Sequence, residues 1–425
     1  MPGSNNRRYG TRKIRSRDRT KMLKIYDSFS RQKKPFKSSN GIVKMFVCGP
    51  TVYDYVHLGH ARTYVAFDII TRYLTFIGFS LQYIMNITDV ADKITDRAKE
   101  VGKDPIEFAR EYERAFIEDM LALGITNVQG YIRASEHIPQ MISQVFGLIE
   151  RGVAYETNTG VYFEVNKFPA FGTLSGLNRE ELSLRRLELC SSKKNPEDFS
   201  VWRKNESLPG WNSPWGFGRP GWHVEDTAIS MSILGDTYDI HGGASELIFP
   251  HHEAEIAQAE ALTGKTPFVR FWLHTGLLSL KGRKMSKSLG NVIRIRDALK
   301  HYSAEDLRFY FASYHYRAPI VLSELQLKRS IAKRKSMIKK FVAFSNMRTD
   351  EKSDNNKLIR IVMRAEYAFR KHMDNDFDTF SALTVILKLS EDLSQFAKNE
   401  KISSKSKRKA ENVFRMMVNV FGIMT

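Results

Sequence analysis

Cysteine is scarce in this chain. Its two residues, Cys48 and Cys190, among 425 are too few for a disulfide framework and suit a reducing compartment. Long apolar runs are missing too. No stretch approaches the roughly 18 apolar residues that cross a bilayer, and the basic N-terminus leads into no signal-like apolar segment. A soluble, cytoplasmic protein without membrane attachment is expected. Acidic charge is also in deficit. The 47 Asp and Glu against 66 Lys and Arg leave a formal charge of +19, more than solubility requires, so a polyanionic partner is expected, nucleic acid ahead of an acidic membrane surface.

Apolar side chains are plentiful. With 42% hydrophobic and 12% aromatic residues, the chain can fill the cores of two or three domains. The basic charge is uneven. Residues 1–21 are rich in arginine and poor in large apolar side chains, which predicts a disordered tail. Two later segments, LKRSIAKRKSMIKKF (Leu327 to Phe341) and KISSKSKRKAENVFR (Lys401 to Arg415), have helical spacing. Each reads equally well as a solvated helix face or as an RNA contact.

The pattern between them alternates. MFVCG (Met45 to Gly49) reads as a buried strand, the segment after His60 as a helix ending at Gly78, and LQYIMNITD (Leu81 to Asp89) as a second strand, a β-α-β unit. Asp104 followed by Pro105 predicts a capped helix start. A further helix runs from about Ser135 to Arg151. VAYETNTGVYFEV reads as a hairpin opening a Gly-, Pro- and Trp-rich region, and the pattern is helical from about Ser303 onward. The fold class expected is α/β: a doubly wound Rossmann-type parallel sheet split by an inserted subdomain and followed by an α-helical bundle. The divisions expected are a tail at 1–21, the first half of the catalytic domain at 22–130, an insertion at 131–220, the second half at 221–280, a lysine-rich loop with connecting helices at 281–325, and the bundle at 326–425.

Two motifs carry chemistry. FVCGPTVYDYVHLGHARTYVAFD (Phe46 to Asp68) places His57, Gly59 and His60 where a strand hands over to a helix. In a parallel sheet that position receives ligands, the helix N-terminus favours anions, and Gly59 lets a phosphate or a flat base approach the backbone. HLGH alone reads more readily as a helix start. The second motif, KGRKMSKSLGN (Lys281 to Asn291), brackets Met285 and Ser286 with Lys284 and Lys287. This concentrated positive charge suits a pyrophosphate leaving group, although by itself it reads equally as a solvated loop.

Together the motifs resemble the two signatures of class I aminoacyl-tRNA synthetases. Within that class, CGPTVYDYVHLGHARTYVAFD, MNITDVADKI, NPEDFSVWR, GRPGWHVED, YDIHGGASELIFPHHEAEIAQAE, KMSKSLGN and MDNDFDTFSAL resemble the cysteinyl-tRNA synthetases, in that family's order from about Met22 to the end. The resemblance implies activation of cysteine with ATP and Mg2+, transfer to tRNA(Cys), and a monomer. It implies His57, His60, Lys284 and Lys287 as catalytic residues, with Gly59, Gly242 and Gly243 also holding ATP, and Thr88, Trp222 and His241 lining the cysteine pocket. It also implies one zinc ion on Cys48, His251 and Glu255, where Asp226 stands at the position of the family's second cysteine. Aspartate is a legitimate zinc ligand that conserves the charge of a thiolate. GGASEL departs from the family at Ala244 and Glu246, and Ala91 stands where an acidic residue is usual. Cys190 matches no ligand. The alternatives are a cysteine:amino-sugar ligase and a non-catalytic tRNA-binding paralogue.

If Lys287 meets charge that develops in the transition state, Lys287→Ala lowers cysteine-dependent pyrophosphate exchange by about a hundredfold or more while changing ATP affinity far less. A near-normal exchange rate removes the loop from the mechanism.

Overall fold

The computed structural model describes residues 23–38, 40–184, 190–205, 208–280, 283–284, 292–350, 355–399 and 401–424. The basic segment 1–21 and Lys287 lie outside the described residues.

Five parallel strands form the central sheet in the order Val269–Thr275, Tyr238–Ala244, Ile42–Val47, Ser80–Ile87 and Gly130–Arg133. The order reverses at Ile42–Val47. The next two strands of the chain build outward on one side, and the two that follow residue 238 build outward on the other, the arrangement of a doubly wound sheet. Covered on both faces, the central strand Ile42–Val47 is a nearly continuous apolar run, with Met45, Phe46 and Val47 fully buried. The first β-α-β unit matches the sequence reading, with the helix at Leu58–Phe76 followed by Gly78 at φ +103°. Asp104 caps the helix Pro105–Ala122, its Oδ1 accepting from the amides of Ile106 at 2.9 Å and Glu107 at 3.0 Å.

Two differences from the sequence reading concern boundaries. Strand Gly130–Arg133 is the edge of the central sheet, paired with Ser80–Ile87, and helix Ile138–Glu150 packs on helices Val224–Leu234 and Glu253–Thr263. The antiparallel insertion therefore begins at Ala154 rather than at 131, and consists of Ala154–Glu156, Gly160–Phe163, Phe199–Lys204 and Gly218–Pro220. The helical run from Ser303 is interrupted by strand Ile320–Leu322, which pairs with Leu278–Leu280. The latter also carries the short strand Arg283–Lys284.

Helices Glu324–Ser345, Asn356–Met373, Thr379–Asn399 and Ser404–Phe421 complete the chain. The signature helix Leu58–Phe76 is buried almost all round because Ala304–Ala312 and Ser404–Phe421 pack on the side away from the sheet. One charged group joins these elements. Arg308, 1% exposed, donates to Asp68 Oδ2 at 2.5 Å, to the carbonyl of Leu123 at 3.1 Å and to that of Phe421 at 2.9 Å. Arg72 also reaches Asp68, at 2.6 Å.

Removing one partner of a buried ion pair strands the other. Arg308→Met is expected to destabilise the protein by roughly 3 kcal/mol, seen as a lower thermal midpoint, with Arg72 limiting the loss. An unchanged midpoint would show that this clasp is dispensable.

Candidate functional site

The C-terminal strand ends open into a chamber of about 490 Å³ lined by Cys48, His57, His60, Thr88, Trp222 and His251, among others. Cys48 lies at the switch point, where its amide donates to the carbonyl of Gly242 at 3.0 Å. The loop after it runs so close to the next strand that a side chain at Gly49 would strike the carbonyl oxygen of Asn86.

His57 is the N-cap of Leu58–Phe76. Its Nδ1 accepts from the Gly59 amide at 3.1 Å, while its own amide donates to His60 Nδ1 at 3.3 Å. The two imidazoles thus form a reciprocal cap with ring centres 4.1 Å apart. The readings of HLGH as a helix start and as a ligand site coexist, because the cap fixes both rings at the positive end of a helix facing the chamber.

Deeper in, four buried donors converge as the resemblance implied: Cys48, Asp226, His251 and Glu255, with candidate ligand atoms all within 4.8 Å of one another. His251 Nε2 lies 3.0 Å from Asp226 Oδ2 and 3.2 Å from Glu255 Oε1. A second set shares Cys48 and Glu255 and adds His241 and His252. Their Nε2 atoms lie 3.3 and 3.0 Å from the Cys48 sulfur. Each imidazole is oriented from behind, His241 by the Tyr238 hydroxyl at 2.6 Å, His252 by His274 at 2.7 Å and His251 by His223 at 2.9 Å. Metal-ligating histidines are held this way.

Electrostatics point the same way. Burial, reinforced by Asp226 and Glu255, pushes the Cys48 thiol well up, and burial with Asp226 does the same to Glu255. Burial and neighbouring imidazoles push His223, His241 and His252 well down, and His274 falls to about 3. A divalent cation would favour thiolate and carboxylate against this burial while keeping the imidazoles neutral. The fit is also steric and chemical. Both carboxylate oxygens of Glu255 are buried and accept no hydrogen bond. Within the first set, the contacts of His251 with Asp226 at 3.0 Å and with Glu255 at 3.2 Å lie just inside the edges of about 3.3–3.8 Å implied by zinc–ligand bonds of about 2.0–2.3 Å.

The remaining sequence candidates fall around this centre. Trp222, 45% exposed, stacks on His251 with ring centres 4.5 Å apart. Thr88 donates to Glu225 at 2.8 Å. His241 is fully buried behind the thiol. Gly242 and Gly243 are required by packing, since a side chain at the first would strike Phe67 and at the second His252 and Leu247. Ala244 and Glu246 line the chamber directly. Lys284 belongs to the short strand beyond Leu278–Leu280. Cys190 stands apart in the insertion beside Thr159, Tyr162 and Ser192. Sequence reasoning passed over His252, although the HH doublet signalled it, and also Asn86, which contacts Asp226.

Comparison with known proteins agrees with this geometry. The family model described as tRNA synthetases class I (C) catalytic domain matches residues 35–332, and that of the DALR domain matches residues 368–425. The chain is 45% identical to the cysteine–tRNA ligase of Thermococcus onnurineus and 46% identical to that of Pyrococcus horikoshii, each over 94% of this chain and 86% of the relative. The chain belongs to the cysteine–tRNA ligase family. Its fold is shared with Mycobacterium tuberculosis methionyl-tRNA synthetase in complex with methionyl-adenylate, at TM-score 0.65 and 15% identity over 90% of both chains. An Agrobacterium radiobacter LeuRS–tRNA–LeuAMS complex gives TM-score 0.66 at 11% identity over 91% of this chain and 84% of that one. Asp226, which the resemblance places at the position of the family's second cysteine, lies within this donor cluster.

Purified protein should carry about one zinc per chain, and Cys48→Ser should lose it, because a neutral hydroxyl is a far poorer ligand than thiolate. Asp226→Cys should retain or strengthen it. Elemental analysis after exhaustive chelation checks both, and active protein without metal would contradict the assignment.

Proposed function

We propose that the chain is an ATP-dependent cysteine–tRNA ligase, which forms cysteinyl-adenylate and passes the cysteinyl group to tRNA(Cys). The observation that carries this reading is the shared chamber: a thiol, carboxylate and imidazole cluster suited to a soft cation opens into the same space as the His57–His60 cap. No helix among the described residues is long and apolar enough to cross a membrane, consistent with a cytoplasmic enzyme, which we take to act as a monomer.

In the first step an oxygen of the cysteine carboxylate attacks the α-phosphorus of Mg2+-bound ATP. The bond to the bridging oxygen breaks and pyrophosphate leaves. His57, Gly59 and His60, at the positive end of their helix, stabilise the charge that grows on the α-phosphoryl oxygens. Lys284 and Lys287 take the pyrophosphate, and the close packing at Gly242 and Gly243 sets the floor beneath the nucleotide. In the second step a hydroxyl of the terminal tRNA ribose attacks the carbonyl carbon and AMP leaves.

Cys48, Asp226, His251 and Glu255 would hold zinc at the base of the chamber. When bound, the ion supplies a soft acceptor for a thiolate in preference to a hydroxyl, which gives selection against serine without an editing site. Trp222 covers that position and Thr88 lines the chamber beside it, while His241, fully buried behind the Cys48 thiol, supports that ligand rather than touching the substrate. In the bundle, Lys333, Lys335 and Lys339 are exposed on helix Glu324–Ser345 and suit phosphate contacts, a salt-sensitive mode of holding tRNA.

Cysteine-dependent pyrophosphate exchange followed by charging of a tRNA(Cys) transcript tests the reading, with an amino sugar offered as the competing acceptor. Exchange without charging, or amino-sugar ligation, contradicts it. Reversing Lys333, Lys335 and Lys339 to Glu should weaken tRNA binding and flatten its salt dependence by about one slope unit for each lysine that meets a phosphate, leaving exchange intact. Unchanged tRNA affinity and salt dependence would refute a role for this face in holding tRNA, whereas equal loss of both activities would indicate misfolding.

A further inference from the structure

Asp226 is held from two sides. Its Oδ2 faces the donor cluster, 3.0 Å from His251 Nε2, while its Oδ1 accepts from Asn86 Nδ2 at 2.6 Å. Asn86 lies near the end of strand Ser80–Ile87 and is 2% exposed. Its own Oδ1 accepts from the Gly49 amide at 2.5 Å, and its Nδ2 also reaches Thr88 Oγ1 at 3.3 Å. These neighbours settle the orientation of the amide. Turned over, it would set an NH2 group against the Gly49 N–H and a carbonyl oxygen against a carboxylate. One buried side chain thus ties the backbone next to Cys48 to the carboxylate of Asp226, which lies 140 positions further along the chain.

We propose that Asn86 is a positioning residue that makes Asp226 a one-oxygen ligand and so keeps a coordination position open for a substrate sulfur. The proposal rests on the reading of Cys48, Asp226, His251 and Glu255 as the holders of an ion. A thiolate offers one donor atom, but a carboxylate offers two and can bind through both. With both oxygens engaged, Asp226 would occupy the place that a site acting on an incoming ligand must leave free. The short bond from Asn86 engages Oδ1 within the protein, while Oδ2 is the oxygen that faces His251. Asn86 is therefore needed for this purpose where residue 226 is aspartate, and is not needed for it where residue 226 is cysteine.

The test compares wild type, Asn86→Ala, Asp226→Cys and the double variant, each stripped of metal and reloaded with cobalt(II) alone. The readouts are the visible cobalt absorption, which is strong for four ligands and weak for five or six, chelator competition for metal affinity, and the concentration of cysteine that half-saturates the spectral change. In the Asp226 background, Asn86→Ala should weaken the visible absorption and raise the half-saturating cysteine by about 10–100-fold, the usual effect of losing a group that orients a metal ligand. In the Asp226→Cys background the same substitution should change both far less, a coupling that a purely structural role does not produce. Equal effects in the two backgrounds, or none in either, overturn the assignment of Asn86. Uptake of neither cobalt nor zinc by the wild type overturns the ion reading itself and is recognised independently. Thermal unfolding is followed for all four proteins. If Asn86→Ala does not fold, Asn86→Ser, which keeps a small polar partner near Gly49, is read in its place.

Discussion

Three acidic groups, Cys48, Asp226 and Glu255, are packed together at the base of the chamber, each 6% exposed or less. At the distances observed they cannot all carry charge unless a cation shares the space, because both desolvation and mutual repulsion oppose it. The imidazoles around them add donor atoms, and burial holds those of His241 and His252 toward the neutral form. Most of the surrounding architecture can be understood as what keeps this arrangement in place, since a cluster so costly to ionise is retained only where its neighbours over-determine it.

The parallel sheet supplies the first level of that support. Its strand order reverses between Ile42–Val47 and Tyr238–Ala244, so the thiol just past the end of one strand meets the histidine within the other. Helix Val224–Leu234 brings Asp226, and Glu253–Thr263 brings Glu255. The signature helix then sets two imidazoles at the chamber wall by using them as its own cap. Arg308 fixes that helix from behind through Asp68, joining the site to the end of the bundle at Phe421. Displacement of the bundle would therefore be felt at the helix that carries His57 and His60.

Local signals account for what could be read before the fold was known. Helix Leu58–Phe76 and the cap at Asp104 follow from residues adjacent in sequence, where spacing and a single side chain decide the outcome. Strand Gly130–Arg133 left no such trace. It is four residues long, half-buried throughout, and sits at a sheet edge, so nothing in its own pattern separates it from a loop. Strand Ile320–Leu322 is shorter still. The candidate metal ligands were named through family resemblance rather than spacing, apart from the i, i+4 pair His251 and Glu255. Asn86 and His252 could not be assigned roles in that way because their meaning lies in partners 140 and 204 positions distant. Their contacts exist only once the sheet has formed.

The central claim is that this buried cluster holds a cation with a position reserved for sulfur. It is tested most directly by titrating cobalt-loaded wild-type protein with cysteine and, separately, with serine, while recording near-ultraviolet sulfur-to-cobalt charge transfer. The account predicts that cysteine adds to the band contributed by Cys48 and saturates at one equivalent, while serine leaves it unchanged. Saturable cysteine binding with no growth of the band would contradict it.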